Sequence, residues 1–325
     1  MDGATPHRAM SPQTCILCPG QGAQVVGMGK DFYDASTAAR EVFHEASNIL
    51  GFDLAAVCFA GPEERLNQTD LSQPAIFTTS VACFRAACQA GLCDPQGIKA
   101  YAGLSLGEYT ALHLARVFSF EAGLRLVAAR GRYMQEAAVA SPSGMVAIMG
   151  ADEAAVTTLC AEAAEGEVLV PANFNAPGQI VVSGAQAACE RAVKVAEARG
   201  LKAIPLKVAG AFHSPLMQPA ADRMADELAK VTFAPPQATV YANVTAAPHT
   251  GADAMKDLLV RQVVSPVRWE QTMTALLAQG EWRFVELAPG RSLTGMLKKI
   301  NRRLPVESLA TAEALTAAKA GPAKA

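Results

Sequence analysis

The chain of 325 residues lacks an excess of either charge. Its 28 Lys and Arg against 30 Asp and Glu leave a formal net charge of -2. A nucleic-acid binder working through bulk positive charge is therefore not expected, and local basic patches remain the only electrostatic handle. No apolar run reaches the ~18 residues of a membrane span, so no membrane segment is predicted. Eight cysteines are present but form no framework. Cys15 and Cys18 make one C-x-x-C inside the apolar run Cys15–Cys18, where a strand would point them to opposite faces. With no second C-x-x-C and no histidine beside it, a zinc site is not expected, and the thiols read as free and buried in a reducing compartment. The first dozen residues, MDGATPHRAMSP, lack the apolar core of a signal peptide. Residues 1–12 are expected to be a disordered tail, either an expression scar or a trimmed targeting remnant.

What the chain has in quantity is alanine and alternating strand and helix signals. Thr14–Cys18 reads as a buried strand ending in a glycine-rich turn, PGQGAQVVGMG. Helices are predicted over about 36–50 and 73–90, then a short strand over 98–103. Ser119 caps a further helix, with Glu121 in its first turn, running to about Ala138. The middle of the chain changes character. Strands are predicted at 144–150, 167–175, 179–184 and 201–208, with helices at 152–163 and 185–199. That β-α-β-β-α-β order is a ferredoxin-like unit. The predicted organisation is an α/β core with a parallel sheet, built from residues 13–139 and 211–308, with a ferredoxin-like α+β subdomain over 140–210 inserted between them. Residues 309–325, ending AAKAGPAKA, are low in complexity and are expected to be a second disordered tail.

Two turns carry candidate chemistry. Gly20-Gln21-Gly22 follows a strand, but the dinucleotide fingerprint G-x-G-x-x-G fails because Val25 stands at its third glycine. The loop is then either a turn that needs positive φ or a donor loop for an oxyanion. Gly103-Leu104-Ser105-Leu106-Gly107 lies between a strand and a helix, the arrangement of a nucleophile elbow. There Ser105 Oγ would project from the strand end, and the N–H of Leu106 would face a developing oxyanion. Of the five histidines, His7 lies in the tail, His44 and His113 inside helical patterns, and His249 in a predicted surface loop. His213 follows a strand, with Ser214 able to cap the next helix and Pro215 at its first position. No carboxylate ends a strand between Ser105 and His213. A Ser-His dyad, with the imidazole oriented by a backbone group, is the economical reading.

Six segments in this order, PGQGAQ (19–24), GLSLGEY (103–109), RGRYMQ (130–135), NFNAPGQIVVSG (173–184), GAFHSPLM (210–217) and VRQVVSPVRW (260–269), resemble the malonyl-CoA:acyl carrier protein transacylase family. The resemblance runs from Thr14 to about Leu304. It implies an α/β-hydrolase-like core with a ferredoxin-like insertion and no cofactor or metal. It implies transfer of malonyl from malonyl-CoA to the phosphopantetheine thiol of acyl carrier protein, in fatty acid synthesis. Ser105 would be the nucleophile and His213 its base. The backbone N–H groups of Gln21 and Leu106 would form the oxyanion hole. Arg130 would bind the malonyl carboxylate, and Gln262 would orient the serine loop and acyl group. GAFHS is similar to the malonyl-selective form. Leu104 replaces the histidine that many bacterial members carry before the nucleophile. This resembles plastid and cyanobacterial members and leans localisation toward the plastid stroma, with bacterial cytoplasm the alternative.

On a helical wheel Arg130 falls between Leu126 and Met134, away from the flank shared by Arg125 and Arg132. It is either a snorkelling or internally paired arginine or a cation awaiting a substrate carboxylate. A water-using serine hydrolase or thioesterase on a related fold would want an acid for His213 and no buried cation. A non-catalytic carrier-docking module would need none of the set. Because carrier proteins of the resembled family are acidic, Lys298, Lys299, Arg302 and Arg303 form the first expected docking face. The second is Arg191, Lys194, Arg199, Lys202 and Lys207.

Overall fold

The computed structural model describes residues 13–317. Five parallel strands form the main sheet: β1 (Gln13–Cys18), β2 (Ile98–Gly103), and, after the insertion, β7 (Thr239–Val240), β8 (Trp282–Leu287) and β9 (Val306–Leu309). Their order is β7-β2-β1-β8-β9. β1 is central, and Cys15 to Cys18 are fully buried, as a strand covered on both faces must be. Its residues alternate between two apolar layers. Ile16 and Cys18 join one cluster with Phe77, Leu106 and Val285, whereas Cys15 and Leu17 join another with Trp269, Phe284 and Leu293. The chain leaves β1 for β2 on one side and reaches β8 on the other. The sheet therefore has a topological switch point at β1, where ligands bind beyond the strand ends in open α/β sheets. Cys18 pairs with Gly103, so the glycine-rich loop after β1 and the serine turn after β2 emerge side by side.

The second sheet is antiparallel: β3 (Ser143–Met149), β4 (Leu169–Ala176), β5 (Gln179–Ala185) and β6 (Lys202–Pro205), in the order β4-β5-β3-β6. Within this unit that is 2-3-1-4, the ferredoxin-like order. Helices Glu153–Ala164 and Gln186–Ala198 cover it, and Val146, Ile148, Leu159, Phe174 and Val182 give it a core of its own. Two backbone hydrogen bonds tie its β4 to the main body, Phe174 N to Val267 O and Val267 N to Ala172 O, both 2.9 Å. Arg268 lies 5.3 Å from the Phe174 ring centre, and Lys299 Nζ donates to Gln179 Oε1 at 2.6 Å.

Three boundaries differ from expectation. The second long helix starts at Thr69 rather than near 73, with Pro74 inside it. The strand predicted over 201–208 pairs only through Pro205. The expected tail is ordered through Ala317. Leu309 ends β9, Leu315 is buried, Cys83 Sγ donates to Leu309 O, and Ala312 N donates to Asp31 Oδ2. Low complexity is offset there by apolar residues at 309, 312 and 315 that reach the core. Residues 1–12, His7 among them, and 318–325 lie outside the described residues.

The glycines of the serine turn are sites of close backbone approach. A Cβ on Gly103 would stand 1.9 Å from Gly107 C, and one on Gly107 would stand 2.1 Å from Cys18 O. Gly107→Ala should therefore destabilise the chain by about 1–3 kcal/mol through overpacking, although alanine is the better helix former. Urea unfolding checks this, and an unchanged midpoint would refute it.

Candidate active site

Ser105 sits between β2 and helix Leu106–Leu114 with φ 52° and ψ −106°, a left-handed conformation that a non-glycine residue adopts only when its surroundings impose it. Asn243 imposes it. Its Oδ1 accepts from Ser105 N at 2.6 Å, and its Nδ2 donates to Gly103 O at 2.7 Å. The turn is thus clamped on both sides of the serine.

His213 reaches it from the stretch before helix Gln218–Ala229. It too has positive φ, 59°, and is 3% exposed. Its neighbour Ser214 accepts from Leu216 N and opens a single 3₁₀ turn, Pro215–Met217, ahead of that helix. His213 Nδ1 lies 2.7 Å from Gln262 O and Nε2 lies 2.8 Å from Ser105 Oγ. A carbonyl can only accept, so Nδ1 carries the proton and Nε2 is left as the acceptor for the serine hydroxyl. Burial, and after it the Arg130 charge, push the imidazole down to about 4. The ring is therefore neutral over the ordinary pH range.

Arg130, on helix Phe120–Ala140, is 1% exposed. Its Nη1 donates to Gln73 Oε1 at 2.8 Å, and its Nη2 donates to Ser105 Oγ at 3.0 Å and Gln262 Oε1 at 2.9 Å. Every one of these acceptors is neutral. Among the described residues no carboxylate pairs with it, and Nε has no partner. Burial pulls the guanidinium below its ordinary value, with Tyr109 and Glu108 acting in the other direction; a guanidinium stays protonated regardless. This is a desolvated cation beside a serine hydroxyl.

Gln262 ends helix Ala252–Gln262 and is fully buried. Its Nε2 donates to Ser105 O at 3.0 Å and Glu108 Oε2 at 2.6 Å, while its backbone carbonyl holds His213. The structure thus brings Ser105, His213, Arg130 and Gln262 together. Ser105, Arg130 and His213 line, with Gln21 and Leu104, a cleft of about 490 Å³ between the two sheets, with Met145, Asn173, Asn175 and Val181 on the far wall and Gln262 buried behind it. Leu106 begins the helix behind Ser105. A Cβ on Gly20 would stand 2.3 Å from Leu104 O, so the glycine loop packs directly on the serine turn.

Sequence reasoning missed Asn243, Glu108 and Gln73, and it misplaced His249. His249 is buried, with Nε2 2.7 Å from Glu108 Oε1. Its segment reads as a surface loop but folds back on itself, with Ala242 N bonding Ala247 O and His249 N bonding Val240 O. Glu108, three residues after the serine on its helix, was a visible signal. Asn243, after a two-residue strand, had none. Of the expected docking residues, Lys298 and Lys299 close helix Ser292–Ile300, whose Met296 lines the cleft, and Arg302 and Arg303 follow it, exposed. In the second cluster Arg191 is tied to Glu165 and Glu167, and Arg199 to Glu162, which leaves Lys194, Lys202 and Lys207.

The sequence profile of the acyl transferase domain matches residues 16–319. The chain belongs to the acyl transferase family. Among curated acyl transferases, the malonyl CoA-acyl carrier protein transacylase of Escherichia coli (strain K12) is 44% identical over 307 residues, 94% of this chain and 98% of that one. The malonyl CoA-acyl carrier protein transacylase structure from Coxiella burnetii superposes with a TM-score of 0.91 at 39% identity, covering 94% of this chain and 97% of the other. A malonyl-transacylase solved in complex with a type II PKS acyl-carrier protein has a TM-score of 0.91 at 39% identity, covering 95% and 100%.

Proposed function

We propose that this acyl transferase moves malonyl from malonyl-CoA to the phosphopantetheine thiol of acyl carrier protein, supplying fatty acid synthesis. The observation that carries the reading is Arg130, a buried guanidinium 3.0 Å from Ser105 Oγ with neutral partners alone. An acyl group ending in a carboxylate supplies an anion in direct contact, which none of its protein partners does.

In this reading Ser105 Oγ attacks the thioester carbonyl while His213 Nε2 takes its proton. The backbone N–H groups of Gln21 and Leu106 receive the oxyanion. The tetrahedral intermediate collapses, and the imidazolium returns the proton to the departing CoA thiolate. The malonyl ester on Ser105 is then attacked by the carrier thiol, whose proton passes to His213 and back to Ser105 Oγ. Gln262 O keeps the imidazole in the required tautomer, the role a carboxylate fills in a triad. A hydrolase reading has no use for the buried cation. The relatives described above are bacterial, which favours the bacterial cytoplasm over the plastid stroma. Lys298, Lys299, Arg302 and Arg303, on and just after the helix whose Met296 lines the cleft, remain the proposed docking face. Reversing Lys298 and Lys299 to Glu should raise KM for the carrier and flatten its salt dependence, since steering is screened over a Debye length of about 8 Å. Acylation by malonyl-CoA alone should not change; equal losses in both half-reactions would refute docking there.

The deciding experiment is intact-protein mass after mixing with malonyl-CoA or acetyl-CoA. A malonyl adduct formed in preference to acetyl is expected, and a lasting acetyl preference would overturn the reading. The pH dependence tests the base. The neutral imidazole is the active form and persists above its value of about 4. Acylation should stay level from neutrality to about pH 5 and fall as pH drops through about 4. A midpoint near the ordinary histidine value of about 6.5 would mean that His213 is solvated and not the desolvated base described here.

A further inference from the structure

We propose that Glu108 is the counter-charge of Arg130, acting across the side-chain amide of Gln262, and that it is a positioning residue for the acyl transfer. The inference rests on the reading of Ser105 and Arg130 given above.

A buried cation needs an anion somewhere close, or the folded state bears its full desolvation cost. Arg130 has none in direct contact. Glu108 is itself fully buried, and among the described residues no Lys or Arg pairs with its carboxylate. Its Oε2 accepts from Gln262 Nε2 at 2.6 Å and from Asn243 N at 3.0 Å, and its Oε1 faces His249 Nε2 at 2.7 Å. His249 Nδ1 has no hydrogen-bond partner among the described residues, as suits an imidazole that donates from Nε2 and keeps a bare nitrogen. Arg130 is then the one guanidinium or ammonium in this chain of hydrogen bonds. The Gln262 amide lies between the two charges, its Oε1 on Arg130 at 2.9 Å and its Nε2 on Glu108.

The charges also settle which way that amide points. A guanidinium only donates and an ionised carboxylate only accepts, so oxygen must face Arg130 and nitrogen must face Glu108. Both bonds polarise the amide in the same sense, which strengthens them together. In this orientation Nε2 also reaches Ser105 O at 3.0 Å, and the same residue's carbonyl holds His213. Through Asn243, Glu108 braces the other side of the serine turn, since Asn243 N is bound to Glu108 and Asn243 Oδ1 to Ser105 N. A carboxylate in direct contact would cover the guanidinium. One placed an amide away balances the charge and leaves Nη2 open toward Ser105.

The test is a double-mutant cycle read by thermal unfolding, together with acylation kinetics. Glu108→Gln keeps the shape and removes the charge. Alone it should lower Tm, because Arg130 loses its anion. In an Arg130→Met background, where the buried carboxylate has lost its cation, the same change should raise Tm by at least about 2 °C. If Arg130→Met alone does not fold, rescue by Glu108→Gln is the expected result, and no rescue overturns the proposal. Equal losses in both backgrounds also overturn it, because they would make Glu108 a hydrogen-bonding residue only. In the Arg130-containing enzyme, Glu108→Gln should lower kcat for acyl-enzyme formation by about 10–100-fold, by analogy with the outer partners that orient metal ligands. KM for malonyl-CoA should not rise, and Glu108→Asp should restore part of kcat. A wild-type kcat in Glu108→Gln overturns the positioning role. The stability readout needs no turnover, so it stands or falls separately from the malonyl assignment.

Discussion

Mixed with malonyl-CoA, the wild-type chain is expected to gain one malonyl group, and the Ser105→Ala variant none. The difference should be absolute, because in the proposed mechanism the ester oxygen is Ser105 Oγ itself. His213→Ala is expected to be slow rather than dead. Its Oγ keeps the hydrogen bond from Arg130 Nη2 but has no group to take its proton, and general-base loss costs about 10²–10⁴-fold. The geometry sets the size of that loss. Nε2 stands 2.8 Å from Oγ with Nδ1 locked on Gln262 O, so the free enzyme already holds the reactive tautomer. Two-step transfer through the serine also requires parallel lines in double-reciprocal plots with malonyl-CoA and carrier protein varied. A malonyl adduct that persists on Ser105→Ala would place the nucleophile elsewhere, and intersecting lines would exclude the covalent intermediate.

The turn that holds Ser105 and the placing of His213 after a strand were legible because their signals are local. A glycine on each side of Ser105 is forced by close backbone approach, an added Cβ standing 1.9 Å from Gly107 C at Gly103 and 2.1 Å from Cys18 O of β1 at Gly107, so the demand shows in five consecutive residues. The inserted unit was legible for a similar reason, since its four strands and two helices follow one another in the chain and pack mainly on each other. What failed was long-range. Asn243 clamps Ser105 across 138 positions, and His249 meets Glu108 across 141. Nothing in the segment 241–250 predicts that it folds inward, because its burial depends on a two-residue strand, β7, that no periodicity announces. The helical wheel separated Arg130 from its neighbouring arginines but could not show that its partners would be neutral. That is a property of Gln73 and Gln262, 57 and 132 positions away. The tail from residue 309 was misjudged by composition, which averages over the few apolar side chains that anchor it.

Arg130→Ala should collapse malonyl transfer and raise activity toward acetyl-CoA relative to it. In the free enzyme the guanidinium is 1% exposed and makes its hydrogen bonds to neutral oxygens. In the proposed reading, a substrate carboxylate entering the cleft gives the guanidinium the anion that it lacks in direct contact, as a pair out of water, where it is strongest. Removing one member of such a pair strands the other and costs about 3–5 kcal/mol, or two to four decades in kcat/KM for malonyl-CoA. Acetyl-CoA brings no carboxylate, so it loses only what Arg130 contributes to holding Gln262 and Ser105, and the ratio of the two substrates shifts toward acetyl. Arg130→Lys separates charge from shape. An ammonium is a point charge without the planar fork and cannot hold Gln73, Gln262 and Ser105 together, so it should recover a minor part of malonyl activity. The pH profile supplies an independent sign. Arg130 is the second cause, after burial, that depresses His213, so in Arg130→Ala the imidazole rises from about 4 toward its ordinary value. The acid limb of acylation must then move to higher pH, with a larger protonated and inactive fraction at pH 5 than in the wild type. If Arg130→Ala keeps the malonyl preference and the acid limb stays in place, the guanidinium serves the fold alone and the acyl carboxylate is bound by another group.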